Sequence, residues 1–130
     1  MTAGDGVDPT TGMTAEQARR SLELLFASYL SAHAQVLQVR LIGIADGGRE
    51  IVRIERDPDL GTVRVVEPAE LQQKGKSDYF TATLGLRPGE VHVTPIELNR
   101  EHGEIETPHV PVIRVATPVF DAAGTAFGIV

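Results

Sequence analysis

Residues 76–130 hold two β-type runs around a long polar tip and a third run after a short turn, and this pattern limits the fold more than any other stretch. EVHV (90–93) leads to the tip NREHGEIETPH, PVIRVATPVF (111–120) returns from it, DAAG turns, and TAFGIV follows. With KSDYF as a short helical entry, the stretch reads as a three-stranded antiparallel meander. A meander needs cover on one face. The earlier chain offers that cover as one amphipathic helix and one more hairpin.

The helix is predicted over residues 14–33. Thr14 and Gln17 have the spacing of a capping box, and Leu22, Leu25, Phe26, Tyr29 and Leu30 recur at helical spacing with Arg19, Arg20, Glu23 and Ser28 between them. The stripe of Leu22, Leu25, Phe26 and Leu30 is expected to pack on the sheet or on a partner helix. Residues 36–45 are β-like, DGGR (46–49) is a tight-turn signal, and EIVRIER (50–56) alternates Val52 and Ile54 with Arg53 and Glu55, so the second pair should line a wet or functional face. VRVV (63–66) reads as a short strand, and PAELQQKGKSDYFTATLGL as a polar, weakly helical connection broken at Gly75. Such a long irregular connection in a compact domain is more often functional than not. Residues 90–96 should form a strand with Val91 and Val93 on one face and His92 and Thr94 on the other. Pro118 interrupts the strand over 112–120 and argues for a sheet edge or a bulge there.

At 130 residues the chain suits one domain, taken as residues 14–130, with residues 1–13 as a disordered leader or expression remnant. FGIV stops in mid-strand, so the chain is expected to be a piece of a longer protein. The net charge of −6 scatters twelve Lys and Arg among eighteen acids, which excludes a general nucleic-acid binder because phosphate neutralisation needs a clustered basic face. Without cysteine there is no disulfide framework, thiolate zinc site or Cys nucleophile. No run approaches the roughly 20 apolar residues of a membrane-spanning helix.

Chemistry-bearing motifs are few. No GxSxG elbow positions a serine, and Gly47, Gly48 and Gly75 match neither a Walker loop nor GxGxxG, so no cofactor is called for. His102, Glu104, Glu106 and His109 alternate on the tip, but without HExxH-type spacing a solvated charged tip is the commoner outcome, and no metal site is assigned. Two features stand out. Arg114 lies inside the apolar run PVIRVATPV, where an unpaired buried charge costs several kcal/mol, so it must reach solvent, an anionic ligand, or an internal carboxylate such as Asp78 or Glu90. Lys76, Ser77, Asp78 and Tyr79 offer cation, hydroxyl, carboxylate and phenol in succession, the mixture that orients a small polar molecule. The competing reading of KSDYF is a helix N-terminus, capped by Ser77 or Asp78, with Phe80 in the core. Thr94 and Thr117 would add hydroxyl contacts. The candidate ligand-binding set is therefore Lys76, Ser77, Asp78, Tyr79, Thr94, Arg114 and Thr117, with no catalytic residue.

Taken together, LQVRLIGIADGGREIVRIER, VVEPAELQQKGKSDYF, GEVHVTPIELNREHG and PVIRVATPVFDAAGTAFGIV resemble the Cache, or PAS-like, extracytoplasmic sensor domains of bacterial membrane receptors, sensor histidine kinases among them. The resemblance runs from Ser21 to Val130 and is nearest to the membrane-distal half of the double Cache type. It implies an α+β fold, a long N-terminal helix packed on a five-stranded antiparallel sheet, with a pocket for a small-molecule ligand, such as an organic acid or other polar solute, under KSDYF. It also implies a periplasmic location, membrane helices on either side, a homodimeric full-length receptor, and a cytoplasmic output such as a histidine kinase or diguanylate cyclase. The amino-acid-binding branch carries an Arg and a Trp–Tyr pair before the pocket. This chain has no Trp and reads KGKSDYF, so an amino-acid ligand is not implied. Two other classes stay open on the residues alone, a cytoplasmic PAS-like interaction domain and a small-molecule enzyme of unknown type.

Overall fold

The computed structural model describes residues 6, 12–45, 47–105 and 111–130. Most of the expected leader (1–5 and 7–11), Asp46 of the DGGR turn, and Glu106 and His109 of the polar tip lie outside these. In chain order the elements are α1 (Ala15–Ala32), β1 (Gln38–Gly43), β2 (Arg49–Arg56), β3 (Val63–Val65), a 3-10 turn (Pro68–Glu70) and α2 (Asp78–Leu84). Among the described residues eight short strands follow: β4 (His92–Val93), β5 (Glu97–Leu98), β6 (Arg100–Glu101), β7 (Glu104–Ile105), β8 (Pro111–Val112), β9 (Val115–Ala116), β10 (Pro118–Phe120) and β11 (Ala126–Ile129). A five-stranded antiparallel sheet runs in the order β10-β11-β1-β2-β3, and with the two helices this is the expected α+β class. The chain divides into two compact units, one of residues up to 41 and 51–71, the other of 42–50 and 72–130.

In the first unit, the Gln17 amide donates to Thr14 Oγ1 (3.2 Å) and the Thr14 amide to Gln17 Oε1 (2.9 Å), so the capping box starts α1 as its spacing requires. The helix packs against β3 and buries Phe26 and Leu30. Leu25 is 63 % exposed and Leu24 71 %, so the stripe read from the sequence is rotated: successive residues lie about 100° apart, and the buried edge follows Phe26 rather than Leu25. No basic residue of α1 itself lies in its last turn; Arg56 at the end of β2 serves it instead. Its guanidinium donates to the carbonyls of Leu30, His33 (3.2 Å), Val36 (3.3 Å) and Gly61 (3.0 Å), placing a positive charge where the helix dipole is negative. Of the two expectations for the polar face of β2, wet or functional, Arg53 removes the wet one. It is buried and pairs with Glu55 (3.1 Å), which Arg64 also reaches, so the charge is neutralised in place.

In the second unit, Ile42, Tyr79, Phe80, Ala116 and Ile129 form the core, and α2 packs on β11, β4 and β9. The expected single meander is replaced by two structures. The run 111–120 splits at Thr117 and Pro118: β9 pairs with β4, while β10 pairs with β11 at the edge of the large sheet, with a register shift between Val119 and Phe120. Pro118 therefore sits at an edge beside a bulge, where its missing N–H does no harm. The expected strand over 90–96 shortens to β4 because Pro95 follows Thr94 and the ladder steps by one before β5 pairs with β8. β6 and β7 close this irregular hairpin at His102 (φ 52°) and Gly103 (φ 82°). Residues 72–75 form a strap along the start of β2, with Glu50 N donating to Gln72 O (2.9 Å) and Lys74 N to Gly48 O (2.7 Å). A side chain at Gly75 would overlap the Gly47 carbonyl, so that close approach needs glycine.

Leu30 is fully buried, so Leu30→Ala is expected to cost about 2–5 kcal/mol in urea denaturation, whereas Leu25→Ala should stay within about 0.5 kcal/mol. Between β2 and β3, Asp57 Oδ1 accepts the amides of Leu60 (2.8 Å) and Asp59 (2.9 Å), bonds that hold its carboxyl below its ordinary value. A depressed native pKa stabilises fully above the unfolded value of about 4, and that stability is lost as pH falls through the native one. Asp57→Asn should therefore flatten the acid limb of a stability-versus-pH curve.

Candidate functional site

Alternation along β4 and β9 sets the site. His92 faces Ala116, Val93 faces Val115, and the Thr94 amide donates to Arg114 O (2.9 Å), so Thr94, Arg114 and Ala116 share the inward side. That side carries the polar groups. The outward side carries Val91, Val93, Ile113 and Val115, with Val93 58 % and Val115 64 % exposed. A ribbon that turns a cation inward and aliphatics outward reverses the usual pattern, which marks the inward side as built for polar contact.

Arg114 is the centre of that side. Its guanidinium carbon lies 5.3 Å from the centroid of the Tyr79 ring on α2, within cation–π range. Nη1 donates to Glu97 Oε2 (3.2 Å), Nη2 donates to Asn99 Oδ1 (3.2 Å), and the backbone amide donates to Thr94 Oγ1 (2.9 Å). The chain of bonds continues: Asn99 Nδ2 to Glu101 Oε1 (2.9 Å), and Gln72 Nε2 to Glu101 Oε2 (2.9 Å). Gln72 Oε1 also accepts the His102 amide (3.0 Å), and the Gln72 amide donates to buried Glu50 Oε1 (2.7 Å). One polar line thus joins the strap, the hairpin tip and α2.

Of the residues singled out from the sequence, the structure gathers Tyr79, Thr94 and Arg114. Ser77 is the N-cap of α2, without a side-chain capping bond, and Phe80 is in the core, so the helix-start reading of KSDYF describes the backbone there. Lys76 and Asp78 are exposed. Thr117 stands apart, its hydroxyl donating to Glu90 O (2.8 Å) at the base of the hairpin. The expected partners of Arg114, Asp78 and Glu90, are replaced by Glu97 and Asn99, because the arginine extends toward the hairpin tip while Asp78 starts a solvent-facing turn and Glu90 lies at the base. Glu97, Asn99, Glu101 and Gln72 were missed. The first three recur at every second position in ELNRE, a spacing that puts them on one side of an extended strand and would have flagged them. Among the described residues no group of three or more His, Asp or Glu side chains could hold a metal ion, and no helix is long and apolar enough to cross a membrane.

Residues 10–128 match the family described as the sensor domain of bacterial histidine kinases. The chain belongs to that family. Two solved structures share the fold of this sensor domain. One is a domain of a sensory box/GGDEF family protein from Vibrio parahaemolyticus, with a TM-score of 0.77 and 23% identity over 88% of this chain and 42% of that one. The other is the extracellular domain of a histidine kinase, with a TM-score of 0.73 and 23% identity over 85% of this chain and 38% of that one. The sensor domain thus spans 42% and 38% of the length of these two chains. No curated protein matches its sequence. As a sensor domain it is a non-catalytic part of a signal-transduction receptor.

Gln72 holds the hairpin tip through both ends of its amide. Gln72→Ala should leave the fold intact while speeding hydrogen exchange at the His102 amide by at least about tenfold, the equivalent of one lost buried bond. Unchanged protection at His102 would show that the strap does not secure the tip.

Proposed function

We propose that this sensor domain binds a small polar or anionic solute at the inward side of the hairpin and passes that event across a bacterial inner membrane from the periplasmic face. The observation that carries the reading is Arg114. A guanidinium held against an aromatic ring, with two of its five N–H donors used among the described residues, retains donors for a ligand oxygen. Tyr79 and Thr94 flank it, and Lys76, Ser77, Asp78 and Thr117 complete the wider set on the same unit. An acidic domain repels anions at long range, so capture rests on such local donors. A route outward supports the relay: β9 runs into β10 through Thr117 alone, and the Thr117 backbone pairs in both directions with Val130 beyond β11. A shift at Arg114 therefore reaches the edge of the sheet through covalent and hydrogen-bonded neighbours.

The parent protein is read as a membrane receptor with a histidine kinase output, homodimeric through α1. Leu24, Leu25 and Tyr29 support this, since they leave one side of that helix apolar and exposed.

A thermal-shift screen of organic acids, amines and sugars tests the binding role, a ligand at about a hundred times its dissociation constant adding roughly 2.7 kcal/mol. Stabilisation is expected for wild type and should be lost in Arg114→Ala and reduced in Tyr79→Phe; equal stabilisation of all three would misplace the site. For the dimer, Leu24→Asp with Leu25→Asp should turn the full-length receptor in detergent from dimer to monomer in light scattering, and an unchanged dimer would remove α1 from the interface.

A further inference from the structure

The two acceptors on Arg114 differ in kind. Asn99 is buried and fixed, its own amide nitrogen bound to Glu101, which Gln72 holds in turn. Moving Asn99 would strand several polar atoms away from water. Glu97 is 46 % exposed at its side chain, and its single 3.2 Å contact with Arg114 is its only one among the described residues. It can turn into solvent, where water replaces what it loses, and an exposed pair of this kind is worth little. Arg114 has no such freedom: its side chain is 15 % exposed, lies over Tyr79, and follows from a backbone amide tied to Thr94.

Resting on the reading that the solute meets Arg114, we propose that Glu97 is an internal stand-in for the ligand, a carboxylate that holds the guanidinium until a small carboxylate displaces it. The exchange favours one chemical class. Glu97 makes one bond to Arg114, whereas a free carboxylate can take two parallel N–H donors and keep the charge balance. A sugar hydroxyl would trade a charged acceptor for a neutral one, and an amine would meet the positive charge of Arg114. The ligand class is therefore small carboxylates. The displacement also has a mechanical side, because Glu97 and Arg114 stand on opposite strands of the hairpin, Glu97 being the register partner of Val112. Losing their bond removes one of two direct cross-strand ties on Arg114 and leaves the one to Asn99.

The test titrates acetate, propionate, lactate and succinate, with acetamide as the neutral control, into the 130-residue chain at constant ionic strength. Binding is read from the Arg114 side-chain N–H resonances and from melting temperature. Glu97→Gln removes the competing charge, and Glu97→Asp keeps the charge but shortens the reach. Both should tighten carboxylate binding about two- to fivefold, the scale of an exposed ion pair, and leave acetamide without effect. Tightening in Glu97→Gln alone would reduce Glu97 to a background charge and overturn the inference. Wild-type affinity in both variants, with binding lost in Arg114→Ala, would overturn the inference and leave the Arg114 site standing. Wild-type affinity in Arg114→Ala would overturn the site as well. Should Arg114→Ala not fold, Arg114→Lys replaces it, and weakened carboxylate binding there is the supporting result. No carboxylate binding to wild type or to either Glu97 variant would overturn the assigned ligand class.

Discussion

A charge inside an apolar strand has to be answered before anything near it can pack, and Arg114 is answered by a line of side chains rather than by one partner. Asn99 and Glu97 take its N–H groups, Tyr79 takes its face, and Glu101 and Gln72 hold Asn99 in place. The hairpin owes its inward polarity to this line. Among the described residues the pairing between its strands is brief, three ladders of two residue pairs each, which would leave it weakly ordered without the cross-strand side-chain bonds. Under the proposed role such a construction suits the hairpin, since elements that move come from the less stable end of a fold.

The other unit solves a similar problem at a helix end. Three backbone carbonyls at and just after the end of α1, with that of Gly61 between β2 and β3, converge on Arg56, so one guanidinium replaces the basic residues that the last turn lacks. With its exit fixed and Phe26 and Leu30 buried, α1 has one side committed to its own unit. Another side, with Leu24 and Leu25, is apolar and exposed, the kind of face a second protein surface can cover.

Membership of the histidine kinase sensor-domain family gives these features a common purpose. The site residues come from a helix start, a hairpin and a strap, and all of them belong to the unit that also holds β10 and β11. The proposed recognition and the first step of the proposed relay thus fall within one compact body. Glycine makes the strap possible: Gly48 and Gly75 let residues 72–75 lie close enough to β2 for Gln72 to reach both Glu50 and the hairpin tip.

The sequence by itself determined the elements whose causes lie within a few residues. The Thr14–Gln17 capping box starts α1, the period-two run in EIVRIER makes β2, and Pro118 sets an edge and a bulge. The α+β class and the five-stranded sheet came from the order of these elements and the family they resemble. Only the tertiary structure decided which apolar residues of α1 are buried, because periodicity defines a stripe but not the edge of it that meets β3. It likewise decided that Arg53 is buried. Most of all it decided the partners of Arg114, which lie 15 and 17 residues away across a hairpin whose ladder changes register at Pro95. The alternating polar residues of ELNRE are visible in the sequence, yet their meeting with Arg114 depends on that register, and a shift of one residue would turn every one of them to the other side.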